Sequence, residues 1–126
     1  MADPSLARGS RDIPLLTQTI GQALAATVQR FPDHEALVVC QQDVRLTYRQ
    51  LDEQVEELAR ALMSTGLSVG DRLGIWSPNH AEWVLTQLAT ARIGVVLVCI
   101  KPAYRTTELT YALRQSGCRA LIAAST

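Results

Sequence analysis

The amino-acid sequence predicts an α/β protein whose parallel sheet is built by strand–helix alternation (βαβαβ) after a first helix and a β-hairpin. Three segments rich in branched apolar residues, "DRLGIWS", "VVLVCI" and "RALIAAS", carry this prediction. A segment with helical periodicity and a closing glycine separates each from the next. Strands and helices that alternate at this spacing form parallel sheets with right-handed crossovers.

One helix and one hairpin precede this alternation. Apolar residues recur at helical spacing from Ile20 to Phe31, and Pro32 ends that helix. The segments "EALVVC" and "VRLT" are typical strands, joined through "QQD". We therefore expect an antiparallel hairpin directly after the first helix.

The second helix carries the clearest boundary signals. Thr47 and Gln50 have the spacing of a capping box at its start, and Gly66 stands where a left-handed residue ends a helix. Its apolar face comprises Leu51, Val55, Leu58, Ala59 and Leu62. The charged side chains opposite are typical of a solvated helix face: Asp52, Glu53, Glu56, Glu57 and Arg60.

The remaining helices are "HAEWVLTQLATARI" and "TTELTYALRQS", which end at Gly94 and Gly117. Asn79 and Glu82 have capping-box spacing at the start of the former. The intervening "VVLVCI" is apolar throughout, as in a strand covered on both faces. We expect it to be a central strand, with "RALIAAS" at an edge.

Composition excludes several classes of protein. The 126 residues carry twelve basic and twelve acidic side chains, so no net field favours nucleic acid or an anionic membrane. The longest apolar run, Ile93 to Ile100, is far shorter than the ~20 residues that span a bilayer. The amino terminus lacks the apolar core of a secretory signal. The expected location is cytoplasmic, with the mitochondrion as the alternative.

Cysteine and histidine residues predict no metal site. Cys40, Cys99 and Cys118 are far apart in apolar surroundings, which predicts reduced, buried thiols. The two histidines, His34 and His80, have no metal-ligand spacing with any cysteine.

One catalytic motif matches literally, because "GLSVG" (66–70) fits the G-x-S-x-G pattern of serine hydrolases. In those enzymes the serine follows a strand and precedes a helix. Ser68 instead follows a helix and precedes a strand, with His80 as the nearest base, so an ordinary loop is the simpler interpretation. Neither glycine-rich phosphate-binding motif occurs. Trp76 and Trp83 are candidates for base stacking, but Trp83 shares a helix face with Val84 and Leu88, which favours core packing for this residue.

Two cations follow "VVLVCI". Lys101, the only lysine, comes directly after this strand, and Arg105 lies four residues further on. Parallel sheets place ligands at the carboxyl ends of their strands, where two cations suit a phosphate. Alternatively, Lys101 lies in solvent and Pro102 begins a turn. The residues alone leave both interpretations open.

Four segments in one order carry a family resemblance: "LTYRQL", "GLSVGDRLGIWSPN", "LATARIGVVLV" and "PAYRTTEL". From about residue 19 to the end, including "FPDHEALVV", the chain resembles the amino-terminal region of acyl-CoA synthetases in the AMP-binding, adenylate-forming superfamily. It is most similar to fatty-acyl-CoA ligases of the medium-chain type. The resemblance implies that residues 14–126 are an incomplete part of the large amino-terminal domain, preceded by a flexible arm, residues 1–13.

The resemblance also implies a two-step reaction. ATP, with Mg2+, converts a fatty acid to an acyl-adenylate, and the thiol of coenzyme A then displaces AMP. The family's phosphate loop, adenylate motif and lid lysine are absent from these residues, so no catalytic or metal-binding residue is assigned. The turn "KPAY" matches the border of the pantetheine passage, which makes Lys101, Tyr104 and Arg105 candidates for binding coenzyme A. Similar enzymes usually carry asparagine in place of Lys101.

Two functions of different classes remain open. The chain is either an amino-terminal fragment of a fatty-acid–CoA ligase, inactive alone, or a short protein that binds a partner. The strand "RALIAAS" motivates the second function, because an edge strand has unpaired backbone groups. The expected partner is the remainder of such a ligase or a homologue.

Overall fold

The computed structural model describes residue 7, residues 9–10 and residues 12–125. Residues 1–6, 8 and 11 of the predicted arm lie outside this part. The chain forms α1 (Ile20–Arg30), β1 (Glu35–Val39), β2 (Val44–Thr47), α2 (Tyr48–Ser64), β3 (Arg72–Trp76), α3 (Ala81–Ile93), β4 (Val96–Ile100), α4 (Thr106–Ser116) and β5 (Ala120–Ala123). The predicted α/β class and the order of elements are confirmed.

The predicted hairpin and the predicted start of α2 are both confirmed. Strands β1 and β2 pair antiparallel and are joined by a 3-10 turn, Cys40–Gln42. The Thr47 hydroxyl accepts a 3.3 Å hydrogen bond from the N–H of Gln50. The Gln50 carbonyl oxygen accepts a 2.9 Å bond from the N–H of Thr47, so two helix-end donors are satisfied reciprocally.

The sheet is parallel, as predicted, but its order is β4-β3-β5. In the described residues, therefore, β3 is the central strand, and the expectation that "VVLVCI" is central was wrong. Val96, the first residue of β4, is 51% exposed. Apolar composition did not distinguish the two strands, because strand order depends on pairing between distant segments.

The main core lies on one face of this sheet. Leu73 of β3 packs there with α2 and α3, whose Val55 and Ala89 are fully buried. The hairpin and α1 complete this core through Leu46 and Leu24. Helix α4 covers the opposite face, where Leu113 lies above Gly74. The sheet thus has helices on both faces.

Helix α3 ends at Gly94 as predicted, but it starts differently. His80, not Asn79, is the residue before the first helical position, and His80 makes no side-chain capping bond. Glu82 consequently lies in the first turn at a position from which it does not complete a capping box. The predicted Asn79–Glu82 capping pair is wrong.

The cysteine side chains are also more accessible than predicted. Cys40 and Cys99 are exposed and Cys118 is partly buried. Cys99 lies on β4, which has only one neighbouring strand in the described residues, so one side of the strand is uncovered. Among the described residues, no helix has the length and apolar character needed to cross a membrane.

Candidate functional site

The carboxyl ends of the three parallel strands lie at one edge of the sheet. Trp76, Ile100 and Ala123 stand side by side there in the strand register. The residues that follow, Ser77 and Lys101, therefore begin neighbouring turns. This edge is where an open parallel sheet binds ligands.

Two clefts open at this edge. The first has a volume of about 310 Å³ and is lined by Ser77, Asn79, Trp83, Cys99, Ile100, Lys101 and Pro102. The second, of about 440 Å³, lies toward β5 and shares Ser77 and Trp83 with the first. The half-buried Trp83 is therefore a wall common to both clefts rather than a fully buried core residue.

The three residues predicted to bind coenzyme A occupy one turn between β4 and α4. The carbonyl oxygen of Lys101 accepts a 3.0 Å hydrogen bond from the N–H of Tyr104. The N–H of Arg105 donates a 3.2 Å bond to Glu108, in the first turn of α4. All three side chains are exposed, and only Lys101 lines the first cleft.

The two cations of this turn have no carboxylate partner among the described residues. The six ion pairs recorded there involve other arginines, for example Arg119 with Asp71. A cation without a partner carboxylate keeps its charge and its hydrogen-bond donors available to an anionic ligand. Lys101 and Arg105 thus present two exposed positive charges in the turn that follows β4.

The hydrolase hypothesis fails on geometry. Ser68 lies in the loop before β3, where its backbone N–H donates to Asp71, and His80 lies after the other end of β3. Five strand residues between them correspond to about 16 Å. A serine and its general base must be within hydrogen-bond reach, so this pair does not form a catalytic dyad.

The second tryptophan, Trp76, lies apart from the clefts. It occupies the sheet face that α4 covers, because it is two residues from Gly74 along β3. Its indole N–H is buried and has no hydrogen-bond partner among the described residues. Unlike Trp83, Trp76 is not among the residues that line the two clefts.

One residue at this edge had no signal in the sequence. Gln42, in the hairpin, lines the second cleft and bonds to the start of α3. Its hydrogen bond to Glu82 is the largest cause of the lowered pKa of that carboxyl. Gln42 is about 40 residues from its partners in the sequence, so no local motif reveals the contact.

No group of three or more potential metal ligands occurs in the described part.

Comparison with known proteins gives consistent results. Residues 24–126 match the family model described as "AMP-binding enzyme". "Medium-chain acyl-CoA ligase ACSF2, mitochondrial" of Homo sapiens is 51% identical over 94% of this chain, which corresponds to 19% of the relative. "Putative acyl-CoA synthetase YngI" of Bacillus subtilis is 42% identical over 86% of this chain and 20% of its own length.

The fold matches solved structures as well. "Mycobacterium tuberculosis fatty acyl CoA synthetase" superposes with a TM-score of 0.81 and 30% identity, over 83% of this chain and 21% of that one. The chain spans about a fifth of the length of the curated relatives it matches, in their amino-terminal region. Because the family model covers most of the sequence, the chain belongs to the AMP-binding enzyme family.

Proposed function

We propose that this chain is the amino-terminal part of an ATP-dependent fatty-acid–CoA ligase. The observation that carries the proposal is 51% identity to a medium-chain acyl-CoA ligase over 94% of the chain. Residues 14–126 then form part of the AMP-binding domain, and residues 1–13 precede it. In such a reaction ATP, with Mg2+, activates the carboxylate and coenzyme A supplies the acceptor thiol.

The contribution of this chain is structural and electrostatic. The family's phosphate loop and lid lysine do not occur in the sequence, so no catalytic residue is assigned to it. We propose that Lys101, Tyr104 and Arg105 line the route of coenzyme A. The two cations there reduce the cost of bringing its phosphates to the sheet edge.

A segment exchange tests this proposal. Residues 19–126 replace the matching segment of the human medium-chain ligase, and thioester formation is measured with a medium-chain fatty acid, ATP and coenzyme A. We expect ATP-dependent thioester from the exchanged enzyme and none from the 126-residue chain alone. The ligase with this segment deleted is the control. A folded exchange protein that forms neither adenylate nor thioester would contradict the proposal.

Partner binding is the second candidate function. In the described residues β5 pairs only with β3, which leaves its other edge free for a further strand. We propose that the occupant is the remainder of such a ligase. Light scattering of this chain mixed with the separately expressed remainder tests the idea, and a mixture that elutes as two unassociated species would oppose it.

We also propose a mitochondrial location, since the similar mammalian relatives are named as mitochondrial. This choice replaces the cytoplasmic expectation drawn from composition. Fractionation of cells that produce the natural protein, followed by protease protection with intact mitochondria, tests the choice. Recovery in the cytosolic fraction alone would refute it.

A further inference from the structure

Helix α3 begins at a buried position without a cap of its own. Ala81, its first residue, is 4% exposed, and His80 before it offers no side-chain hydrogen bond. The first N–H groups of a helix have no partner within the helix, and a buried N–H without an acceptor is costly. Another part of the chain must therefore supply the acceptor.

Gln42 supplies it from the hairpin. Its side-chain carbonyl oxygen accepts a 2.7 Å hydrogen bond from the N–H of Ala81. Its amide nitrogen donates a 2.9 Å bond to the carboxylate of Glu82. Only this orientation of the amide satisfies both partners, because a backbone N–H donates and a carboxylate accepts.

The position of Gln42 is itself fixed. It is the last residue of the 3-10 turn Cys40–Gln42, which the N–H of Asp43 closes by donating to the carbonyl oxygen of Cys40. Asp43 has a positive φ of 52°, which turns the chain directly into β2. The side-chain amide of Gln42 is therefore held by the turn that joins the two paired strands of the hairpin.

The capped end of α3 carries the walls of both clefts. Ser77 and Asn79 lie four and two residues before Ala81, Trp83 lies two residues after it, and all three line the first cleft. We propose that Gln42 is a positioning residue, which caps α3 from the hairpin and thereby holds these residues opposite Lys101. Its effect on coenzyme A rests on the proposed function, whereas the capping itself does not.

The structural test uses the 126-residue chain and a matched pair of substitutions. Gln42→Met keeps the length of the side chain and removes both hydrogen bonds. Gln41→Met is the control, because Gln41 lies in the same turn and has no recorded side-chain bond within the described residues. We expect the amide hydrogen of Ala81 to exchange with solvent about tenfold faster in Gln42→Met, because one hydrogen bond is lost. We expect its exchange rate to be unchanged in the control.

The readout at the cleft is the fluorine signal of Trp83 in protein labelled with fluorotryptophan. Trp76, the other tryptophan, lies on the opposite sheet face and is the internal reference. We expect Gln42→Met to move the Trp83 signal and leave that of Trp76 in place. The proposal would be overturned if the Ala81 amide hydrogen exchanged at the same rate in Gln42→Met and Gln41→Met, or if the Trp83 signal did not move in Gln42→Met.

A swap of the two polar groups separates capping from general stability. Gln42→Glu places two carboxylates against each other, and we expect their repulsion to draw the side chain at position 42 away from Ala81 and to move the Trp83 signal. In the double variant Gln42→Glu with Glu82→Gln, the carboxylate at position 42 accepts from both the Ala81 N–H and the amide at position 82, so that only the second bond is reversed and both are restored. We expect it to return the Trp83 signal, and failure to do so would contradict a cap of this geometry.

The link to coenzyme A is measured in the exchanged ligase. We expect Gln42→Met to raise KM for coenzyme A about two- to tenfold with kcat nearly constant, because the cleft wall shifts without loss of a reacting group. An unchanged KM despite a displaced Trp83 would refute the role at the site. If the segment-exchanged ligase makes no thioester even without a substitution, the proposed function fails. The hydrogen-exchange and fluorine measurements on the 126-residue chain still decide whether Gln42 positions the cleft wall.

Discussion

The guanidinium of Arg119, directly before β5, donates a 2.8 Å hydrogen bond to the carboxylate of Asp71, directly before β3. The same carboxylate accepts a 2.8 Å bond from the backbone N–H of Ser68. This bond from Ser68 is the largest cause of the lowered pKa of Asp71. Asp71 thus joins the loop after α2 to the start of β5.

Asp71→Asn is expected to lower Tm near neutral pH and to have less effect in acid. A lowered pKa in the folded state means that the stabilisation is complete above the unfolded-state pKa, about 3.9, and is lost as pH falls through the folded-state pKa. Thermal unfolding of variant and parent between about pH 3 and pH 7 measures this effect. Glu53→Gln, an exposed substitution on α2, is the control. A difference in Tm that stays constant with pH would contradict the assignment.

Arg92→Met is expected to weaken the contact between α2 and α3. Arg92 donates to Asp52 and, at 3.1 Å, to Glu56, and its side chain is only 21% exposed. We expect the free energy of unfolding to fall by about 1 kcal/mol, since charge-assisted bonds with partly exposed partners contribute little more. Urea denaturation measures the change.

The matched control is Arg60→Met, which removes an arginine that is 77% exposed and pairs with Glu56 within α2. Exposed pairs of this kind contribute little to stability. If the Arg92 and Arg60 substitutions lowered the free energy of unfolding equally, the ion pairs between α2 and α3 would contribute no more to stability than the exposed pair within α2.

Gly74→Ala is expected to destabilise the protein by about 1–3 kcal/mol, because it overfills the space between β3 and α4. The added Cβ would lie 3.0 Å from Leu121 Cδ1 and 3.3 Å from Leu113 Cδ2.

Gly21→Ala tests the opposite case, because its Cβ would meet only Arg92 Cα at the ordinary distance of 3.6 Å. In helix α1 that change is expected to stabilise by about 0.5–1 kcal/mol. Chemical denaturation of both variants decides whether the two effects have opposite signs.

Lys101→Gln is expected to raise KM for coenzyme A about two- to tenfold in the exchanged ligase, and less at high salt, where charges are screened. Arg114→Gln removes an exposed cation from α4, away from the turn, and is the control. Dephospho-coenzyme A identifies the group that is recognised. If the substitution affects both substrates equally, Lys101 does not contact the phosphate that distinguishes them.

Local signals predicted the boundaries of most elements, and long-range contacts account for the errors. Gly94 and Gly117 end their helices as expected, because the left-handed conformation is a property of one residue and its neighbours. The prediction for the start of α3 was wrong because the residue that caps this helix, Gln42, lies in the hairpin. The sequence around Asn79 carries a capping pattern that the fold does not use.

The positions of residues at the strand ends were predicted only in part. Lys101 was placed correctly at a strand end, since the apolar run stops there, and it lines a cleft. Trp83 was favoured as a core residue because its neighbours are apolar, but it stands between two clefts. The exposure of Cys99 followed from the position of β4 beside β3 alone, which hydrophobicity along one strand does not reveal.

The strand order also determines how the sheet is completed during synthesis on a ribosome. Because β4 and β5 both pair with β3, the central strand acquires one neighbour when residues 96–100 emerge and the other only when residues 120–123 follow. At about 5–20 residues per second, that interval is on the order of seconds. A nascent chain passes through it with one edge of β3 unpaired, and until β5 arrives the backbone groups of that edge are open to pairing with another extended segment.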